Sequence, residues 1–236
     1  MFSRESYVTL IEDIRAADYR FAFFDSYEPQ RCVLLRHDVD FSLADAAALA
    51  GMEADLGISA TYFVLISSDF YNIASPQSRS SIERMVSSGA RLGLHFDPTA
   101  YEDLDAGFGI EKATFERLTG VPLTIVSLHR PREFLTDNNR KLAGVRHTYE
   151  DEYFKDLVYV SDSGGSFRFG HPLETDAFRE GSSIHLNLHP IWWTRAGSSP
   201  SEKLRDWEQD LFETLNEEVG RNCKTFDGSP PWQALD

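Results

Sequence analysis

The chain has 236 residues, and its 38 Asp and Glu against 23 Lys and Arg give a formal net charge of −15. This acidity argues against a nucleic-acid partner, which needs a basic surface, and against docking on an anionic membrane. Hydrophobic residues at 42% and aromatic residues at 13% exclude a disordered chain. The length fits a single domain, which we predict to span residues 1–236.

Targeting and redox features are few. The two cysteines, Cys32 and Cys223, form no metal-binding or redox pair and no disulfide framework. The first residues lack the basic head and apolar run of a signal peptide, and no stretch approaches the ~20 apolar residues of a membrane span. We therefore expect a cytoplasmic protein without a membrane span, and we make no prediction of its oligomeric state.

Apolar, strand-like runs alternate with helix-like segments in chain order. Strands are predicted at 32–35, 61–66, 90–94, 123–128, 157–160 and 184–188. An N-terminal helix is followed by helices that begin after Ser42 and at Ser75-Pro76, and by a helix at 110–118. This alternation predicts βαβ units and a largely parallel sheet, and so an α/β fold. The segment 136–155 has no clear pattern.

The clearest helix in the sequence is the last one, at about 200–219. Ser199 and Glu202 occupy the positions of a capping box, and Gly220 ends the helix. A single apolar stripe is predicted to pack on the rest of the protein; it contains Leu204, Trp207, Leu211, Leu215 and Val219.

Ionisable residues follow nearly every predicted strand. In parallel α/β folds the carboxyl ends of the strands form one edge, and active sites lie there. Residues from distant parts of the chain are therefore expected to converge on one site. They are His37, Asp38 and Asp40, then His95 and Asp97, then His129 and Arg130, then Asp162 and finally His189.

Asp38 and Asp40 are the strongest candidates for metal chemistry. Two residues apart on an extended backbone, they point to the same side and repel each other unless a cation, a proton or a basic residue lies between them. The alternative is one helix cap and one surface Asp. His95 is then expected to be a ligand rather than a structural histidine. Histidine with carboxylate and no cysteine suits a catalytic site, for which Zn, Mn, Fe, Co and Ni all remain open.

The remaining polar motifs allow two interpretations each. Arg130 is expected to hold a catalytic carboxylate by a bidentate contact, or to be a surface residue. The Asp162-Ser163-Gly164-Gly165 segment is a turn whose amides are candidates to face a substrate.

The tryptophans near the last strand and several histidines also allow more than one interpretation. Trp192 and Trp193, beside His189, suit a sugar ring, although tryptophan is as often core. His37 belongs to the edge or points into the sheet. Structural roles are expected for the other histidines, His147, His171 and His185.

Taken in order, five motifs resemble the polysaccharide deacetylase superfamily (carbohydrate esterase family 4), and within it a divergent bacterial deacetylase-like branch. The resemblance runs from about residue 31 to 193, most of the chain. The motifs are Arg36-His37-Asp38-Val39-Asp40, Gly93-Leu94-His95-Phe96-Asp97, Leu128-His129-Arg130-Pro131, Asp162-Ser163-Gly164-Gly165 and Leu188-His189-Pro190-Ile191-Trp192-Trp193.

The resemblance implies a distorted (β/α) barrel of about seven parallel strands that uses a divalent metal, with zinc as the first expectation, to hydrolyse N- or O-acetyl groups on sugars. Asp38 resembles the general base and Asp40 a metal ligand, or the reverse. His95 resembles the first metal histidine, Arg130 the arginine that orients the base, and His189 the general acid. The implied substrate is an acetylated sugar or surface-polysaccharide intermediate, with contacts expected from His37, Asp162, Ser163, Gly164, Trp192 and Trp193.

Two departures from the family pattern matter. Val39 separates the two aspartates, and Thr99 stands where a second metal histidine is expected. Either Asp97 or His129 replaces that ligand, or the metal is lost. The alternatives are therefore a metal-independent hydrolase of another non-peptide C–N bond, or a catalytically inactive carbohydrate-binding barrel.

Overall fold

The computed structural model describes residues 2–131 and 140–228. Its strands are β1 (Arg20–Ala22), β2 (Cys32–Val39), β3 (Thr61–Val64), β4 (Arg91–Phe96), β5 (Ile125–Leu128), β6 (Arg146–His147), β7 (Val158–Ser161) and β8 (Ile184–Leu188). Its α-helices are α1 (Arg4–Ala16), α2 (Leu43–Asp55), α3 (Pro76–Ser87), α4 (Leu104–Thr119), α5 (Asp151–Phe154), α6 (Asp176–Glu180), α7 (Pro190–Thr194) and α8 (Pro200–Asn222).

The strands form one parallel sheet. Its order in the described residues is β6-β5-β4-β3-β2-β8-β7, with β1 paired to the first half of β2. Every pairing between these strands is parallel. The prediction of an α/β fold with about seven parallel strands is confirmed.

The sheet curls into a distorted barrel. Nη1 of Arg36 on β2 donates to Oγ1 of Thr148, just after β6, at 2.7 Å, although three strands lie between β2 and β6 in the sheet. The described residues show no pairing between the end strands β6 and β7. There the ring of Phe154 lies 5.0 Å from that of Tyr149 and 5.1 Å from that of Tyr159, so aromatic side chains line this opening.

Side-chain alternation along β2 separates two environments. Its residues are all buried. On the convex face, Val33 and Leu35 belong to the main core, to which the helices contribute. On the concave face, Leu34 packs in a smaller cluster with Phe63 and Ile125. The next concave-face position after Leu34 is Arg36, so the barrel interior changes from apolar to charged along the strand.

Gly93 on β4 is required by packing inside this barrel. A Cβ at this position would lie 2.5 Å from the ring of Phe63 and 3.0 Å from the carbonyl oxygen of Ile125. Glycine therefore lets the Phe63 ring fill the interior below the charged residues.

The predicted helix starts agree with the structure. The side chains of Ser42, Ser75 and Ser199 accept hydrogen bonds from backbone amides in the first turns of α2, α3 and α8. These bonds satisfy donors that have no partner within the helix.

The predicted apolar stripe of α8 is only partly correct. Trp207 is 7% exposed, but Leu215 is 57% exposed and Leu211 is also exposed. The reason is length: α8 has 23 residues and packs through its first turns on α7. None of the helices in residues 2–131 and 140–228 is both long enough and apolar enough to cross a bilayer.

Candidate active site

Three side chains from three strands meet at the carboxyl edge of the sheet. Nε2 of His95, on β4, lies 3.2 Å from Oδ1 of Asp40, which follows β2. Nδ1 of His129, which follows β5, lies 3.2 Å from His95 Nε2 and 3.8 Å from Asp40 Oδ1. Among the described residues, this is the group of carboxylate and imidazole ligands that could hold a metal ion.

The geometry of this cluster fits a divalent ion. Ligand atoms about 2.1 Å from a common tetrahedral ion lie about 3.4 Å apart, close to the separations found here. Oδ1 of Asp40 is buried and has no hydrogen-bond donor in the described part of the chain. Two imidazole nitrogens and one carboxylate are a donor set that leaves coordination positions open, as a catalytic site requires.

The pKa values of the cluster agree with this interpretation. Burial, and then the nearby charge of His95, lower the pKa of His129, which favours the neutral imidazole that a metal needs. Burial raises the pKa of Asp40, but the adjacent His95 imidazole and the charge of His189 outweigh it, so this pKa is lowered overall.

Asp38 lies beside the cluster and is held on both oxygens. Arg36 Nε donates to Oδ1 at 2.9 Å and Nη2 donates to Oδ2 at 2.7 Å. Oδ2 is also 3.9 Å from His95 Nε2. Burial raises the pKa of Asp38, but the positive charges of Arg36 and His95 outweigh burial and hold this pKa well below its usual range. Asp38 is therefore an ionised carboxylate in a fixed orientation.

Two more residues bind Asp38 and were missed from the sequence. Ser127 Oγ donates to Oδ1 at 3.1 Å, and Asn187 Nδ2 donates to Oδ2 at 3.1 Å. Both lie inside strands that were predicted as apolar runs. Their positions, two residues before His129 and His189, were the available signal, because they place them on the same face of the sheet.

His189 and Asp162 form a pair next to the cluster. Nδ1 of His189 donates to Oδ1 of Asp162 at 2.6 Å, which leaves Nε2 facing Asp40 Oδ2 at 3.7 Å. Burial lowers the pKa of His189, but the hydrogen bond and charge of Asp162, with the charges of Asp40 and Asp38, outweigh it and raise this pKa to about 9. His189 is thus protonated at neutral pH.

Asp162 and Trp193 have different roles from those expected. Both were expected to contact substrate, but Asp162 is fully buried and Trp193 nearly so. The indole Nε1 of Trp193 donates to Asp162 Oδ2 at 2.7 Å. Trp193 therefore orients the carboxylate that holds His189. Trp192 is buried as well, so it does not offer an open face to a sugar ring.

The structure favours the surface interpretation of Arg130, and of the two candidate replacement ligands it brings His129 rather than Asp97 into the cluster. The Arg130 side chain is 68% exposed, and it faces Asp97 Oδ2 at 3.5 Å rather than Asp38. Asp97 Oδ1 accepts hydrogen bonds from the backbone N of Thr99 at 2.9 Å and from its hydroxyl at 2.7 Å. Asp97 is thus used in a turn after β4 and lies outside the metal-ligand cluster, where His129 takes the place of the absent second histidine.

His37 does not lie at the site. Its side chain points to the convex face, where Nε2 is 2.7 Å from Oε1 of Glu53 on α2 and Nδ1 is 3.2 Å from the carbonyl oxygen of Leu188. Two tyrosine hydroxyls also donate to Glu53. Alternation along β2 explains this, since neighbours of Asp38 face the opposite side. A substrate contact by His37 is therefore excluded by its burial.

The turn after β7 is placed at the same edge as the cluster. Ser163 and Gly164 are exposed, and Gly164 has a φ of 73°, which favours glycine. Their contact with a substrate stays a prediction.

Buried Glu111, on α4, accepts a hydrogen bond from Tyr101 at 2.8 Å, and burial raises the pKa of its carboxyl group. No sequence motif had indicated Glu111.

Similar proteins were found only by comparison with solved structures. No protein-family model matches the chain, and no curated protein matches its sequence. Among solved structures, the chain is similar to the peptidoglycan deacetylase PdaC from Bacillus subtilis, at 16% identity and a TM-score of 0.42 over 80% of this chain and 94% of that one. It is similar to a family 4 carbohydrate esterase from Bacillus anthracis, at 15% identity and a TM-score of 0.42 over 88% and 86%.

A third similar structure is BA3943, a CE4 family pseudoenzyme from Bacillus anthracis, at 13% identity and a TM-score of 0.41 over 77% of this chain and 60% of that one. Proteins of family 4 are thus among the matches. Identities and scores this low say nothing about activity. What the chain does must therefore be inferred from its own residues.

Proposed function

We propose that the protein is a metal-dependent hydrolase that removes an N- or O-acetyl group from a sugar or surface-polysaccharide intermediate. The observation that supports this is one arrangement: the Asp40–His95–His129 cluster has an ionised carboxylate, Asp38, and a protonated imidazole, His189, as its neighbours. A site with a separate proton acceptor and proton donor beside a cation suits hydrolysis of an amide or ester.

Asp40, His95 and His129 would hold the ion, with zinc as the first choice for two imidazoles and a carboxylate. When bound, such an ion polarises a carbonyl group and lowers the pKa of water. Asp40 is the better ligand of the two aspartates because its Oδ1 has no donor in the described structure, whereas both oxygens of Asp38 are held by Arg36.

Asp38 accepts the proton of the attacking water. It is ionised throughout the practical pH range because its pKa is held low, and Arg36, Ser127 and Asn187 fix its orientation. A fixed acceptor needs no reorganisation when the water attacks, which lowers the barrier.

His189 donates a proton to the departing amine or alkoxide. Its Nδ1 is bound to Asp162, so Nε2 is the atom that faces the site and carries the transferable proton. In the metal-free protein a pKa raised to about 9 keeps that proton in place at neutral pH. Amines are poor leaving groups unless protonated, so this donor matters most for an N-acetyl substrate.

The test is release of acetate from the N-acetylglucosamine trimer and from an O-acetylated oligosaccharide by zinc-loaded protein. We expect release that stops on chelation and returns with metal, and that is abolished in Asp38→Asn with metal content retained. His189→Gln, which leaves the buried Arg36–Asp38 pair intact, should slow release from the amide more than from the ester. Asp176→Asn, at an exposed position of α6, is the matched control.

Two results would contradict the proposal. Acetate release that survives exhaustive chelation indicates a metal-independent hydrolase. Saccharide binding without any acetate release by metal-loaded protein indicates an inactive barrel.

A further inference from the structure

The peptide group that joins Leu188 to His189 is hydrogen-bonded at both its N–H and its carbonyl. The N–H donates to the buried carboxylate of Asp162, at 3.0 Å to Oδ1 and 3.2 Å to Oδ2. The carbonyl oxygen, on Leu188, lies 3.2 Å from Nδ1 of His37. Because a carbonyl oxygen can only accept, the hydrogen of this bond lies on His37 Nδ1. One peptide group therefore connects His37 to the Asp162–His189 pair.

The ring of His37 is held in one orientation by a buried carboxyl group on α2. Its Nε2 lies 2.7 Å from Oε1 of Glu53. The hydroxyl of Tyr62 donates to Oε2 of Glu53 at 2.7 Å, and the hydroxyl of Tyr7 donates to Oε1. All four side chains are buried. With both ring nitrogens in hydrogen bonds, the imidazole cannot turn without breaking two buried bonds, which is costly.

Burial means that this histidine can act on the candidate site only through the backbone. Neither His37 nor Glu53 can touch a substrate, since each is at most 1% exposed. In the parallel pairing of β2 with β8, the last register pair is His37 with Leu188, where β8 ends. His189 is therefore the first residue beyond the paired strand. The bond from His37 to the Leu188 carbonyl constrains the chain at the point where the sheet ceases to do so.

Hydrogen bonds at the two ends of a peptide group strengthen each other. A donor at the carbonyl oxygen polarises the peptide and makes its N–H a better donor, here to Asp162. Asp162 also accepts from Nδ1 of His189 at 2.6 Å and from Nε1 of Trp193 at 2.7 Å. Fixing the peptide therefore fixes the carboxylate relative to the imidazole that it orients. The direction of His189 Nε2, which lies 3.7 Å from Asp40 Oδ2, follows from that orientation.

We propose that His37 is a positioning residue: its bond to the Leu188 carbonyl, held by Glu53, fixes the peptide before His189 and so the direction in which His189 presents its proton. The use of that proton rests on the proposed function, whereas the contact with the peptide does not. The Nδ1–H group makes the contact, and Glu53 only orients the ring. A side chain that keeps a donor at this position therefore replaces His37 better than an apolar one.

The test is hydrogen exchange at the backbone amide of His189, measured by NMR in metal-free protein relative to the amide of Leu186 in the middle of β8. His37→Leu removes the donor, and we expect the His189 amide to exchange about tenfold faster, which corresponds to the loss of one hydrogen bond. His37→Asn, whose side-chain amide offers a donor near the position of Nδ1, should keep the wild-type ratio. An unchanged ratio in His37→Leu, or an increase of this size in His37→Asn, overturns the proposal.

Tyr153→Phe is the matched control, because it also removes a buried side-chain donor to a carbonyl oxygen, that of Phe24 at 2.8 Å. It should leave the exchange ratio of the His189 amide unchanged, and an equal increase in both variants overturns the proposal. If His37→Leu does not fold by circular dichroism, the same comparison is made in Glu53→Gln, where no buried carboxylate loses its partner.

Kinetics of the zinc-loaded protein test the positioning of His189 itself. With the N-acetylglucosamine trimer, His37→Leu should lower kcat and leave KM unchanged, because no group that touches the substrate is altered, and His37→Asn should retain kcat. Faster exchange at the His189 amide with unchanged kcat in His37→Leu overturns the proposal. A wild type that never releases acetate, with the exchange results as expected, supports the contact of His37 with Leu188 and contradicts only the proposed function.

Discussion

At the scale of single residues, Asp38 is fixed by a residue two positions away on its own strand. Arg36 and Asp38 face the same side of β2, so the guanidinium meets the carboxylate through two parallel hydrogen bonds. Both are nearly inaccessible to solvent. An intact buried ion pair of this kind adds little to the free energy of unfolding, but removing one partner leaves the other as an uncompensated buried charge.

Arg36→Gln is therefore expected to lower the free energy of unfolding by about 3–5 kcal/mol, as measured by urea denaturation. Arg130→Gln is the matched control, and because its ion pair is exposed and long we expect a change of less than about 1 kcal/mol. If the two variants lose equal stability, the assignment of Arg36 as the partner of Asp38 is wrong.

His189 gives a prediction for pH. In metal-free protein its pKa is raised from 6.5 to about 9, mainly through Asp162 against the opposing effect of burial. A raised pKa means that the Asp162–His189 pair stabilises the fold fully below about pH 6.5 and that this contribution is lost as pH rises through about 9. Asp162→Asn should lower the pKa of His189, as followed by NMR of its ring protons. An unchanged pKa of His189 in this variant would show that Asp162 does not raise it.

Much of the site could be predicted from sequence, because one rule governs it. Asp38 and Asp40, His95, His129 and His189 all fall at or just beyond the carboxyl ends of strands. Roles decided by contacts across the barrel could not be predicted. Trp193 bonds Asp162 from 31 positions away, and no local pattern distinguishes it from Trp192.

At the scale of elements, two strands, β2 and β4, were predicted to end too early because each continues into ionisable residues. β2 was expected to end at Leu35, but it continues through Arg36 and Asp38 to Val39. Buried strands ordinarily contain few charged residues, because burying a charge without a partner is costly. Here each charge has its partner on the same face, and that pairing is a property of the barrel rather than of the local sequence.

Helix α8 shows the opposite error, since its periodicity predicted more burial than the fold provides. Trp207 contacts Phe41 and Phe70, whereas Leu215 is largely in solvent. Trp207→Ala is expected to cost about 3 kcal/mol. Leu215→Ala should change stability by less than about 0.5 kcal/mol. Thermal and urea denaturation test this, and a large loss for Leu215→Ala would show that its face is covered in solution.

At the scale of the whole molecule, the apolar residues that stabilise the barrel and the charged residues of the candidate site occupy different parts of its interior. Its interior is apolar around the cluster of Leu34, Phe63 and Ile125. It becomes charged toward the carboxyl ends. The class of fold followed from alternating strands and helices, but the opening between β6 and β7 did not, because β6 has only two residues and its segment lacks a hydrophobic pattern.

Metal stoichiometry is the measurement that tests this account most directly. Elemental analysis of untagged protein incubated with zinc and desalted should give close to one ion per chain. His95→Ala and His129→Ala should each lose it, whereas Asp97→Asn should keep it, because Asp97 lies outside the cluster. Loss of metal in Asp97→Asn with retention in His129→Ala would move the site to the other candidate ligand. No metal in the wild type after incubation with Zn, Mn, Fe, Co or Ni would contradict the metal-dependent mechanism.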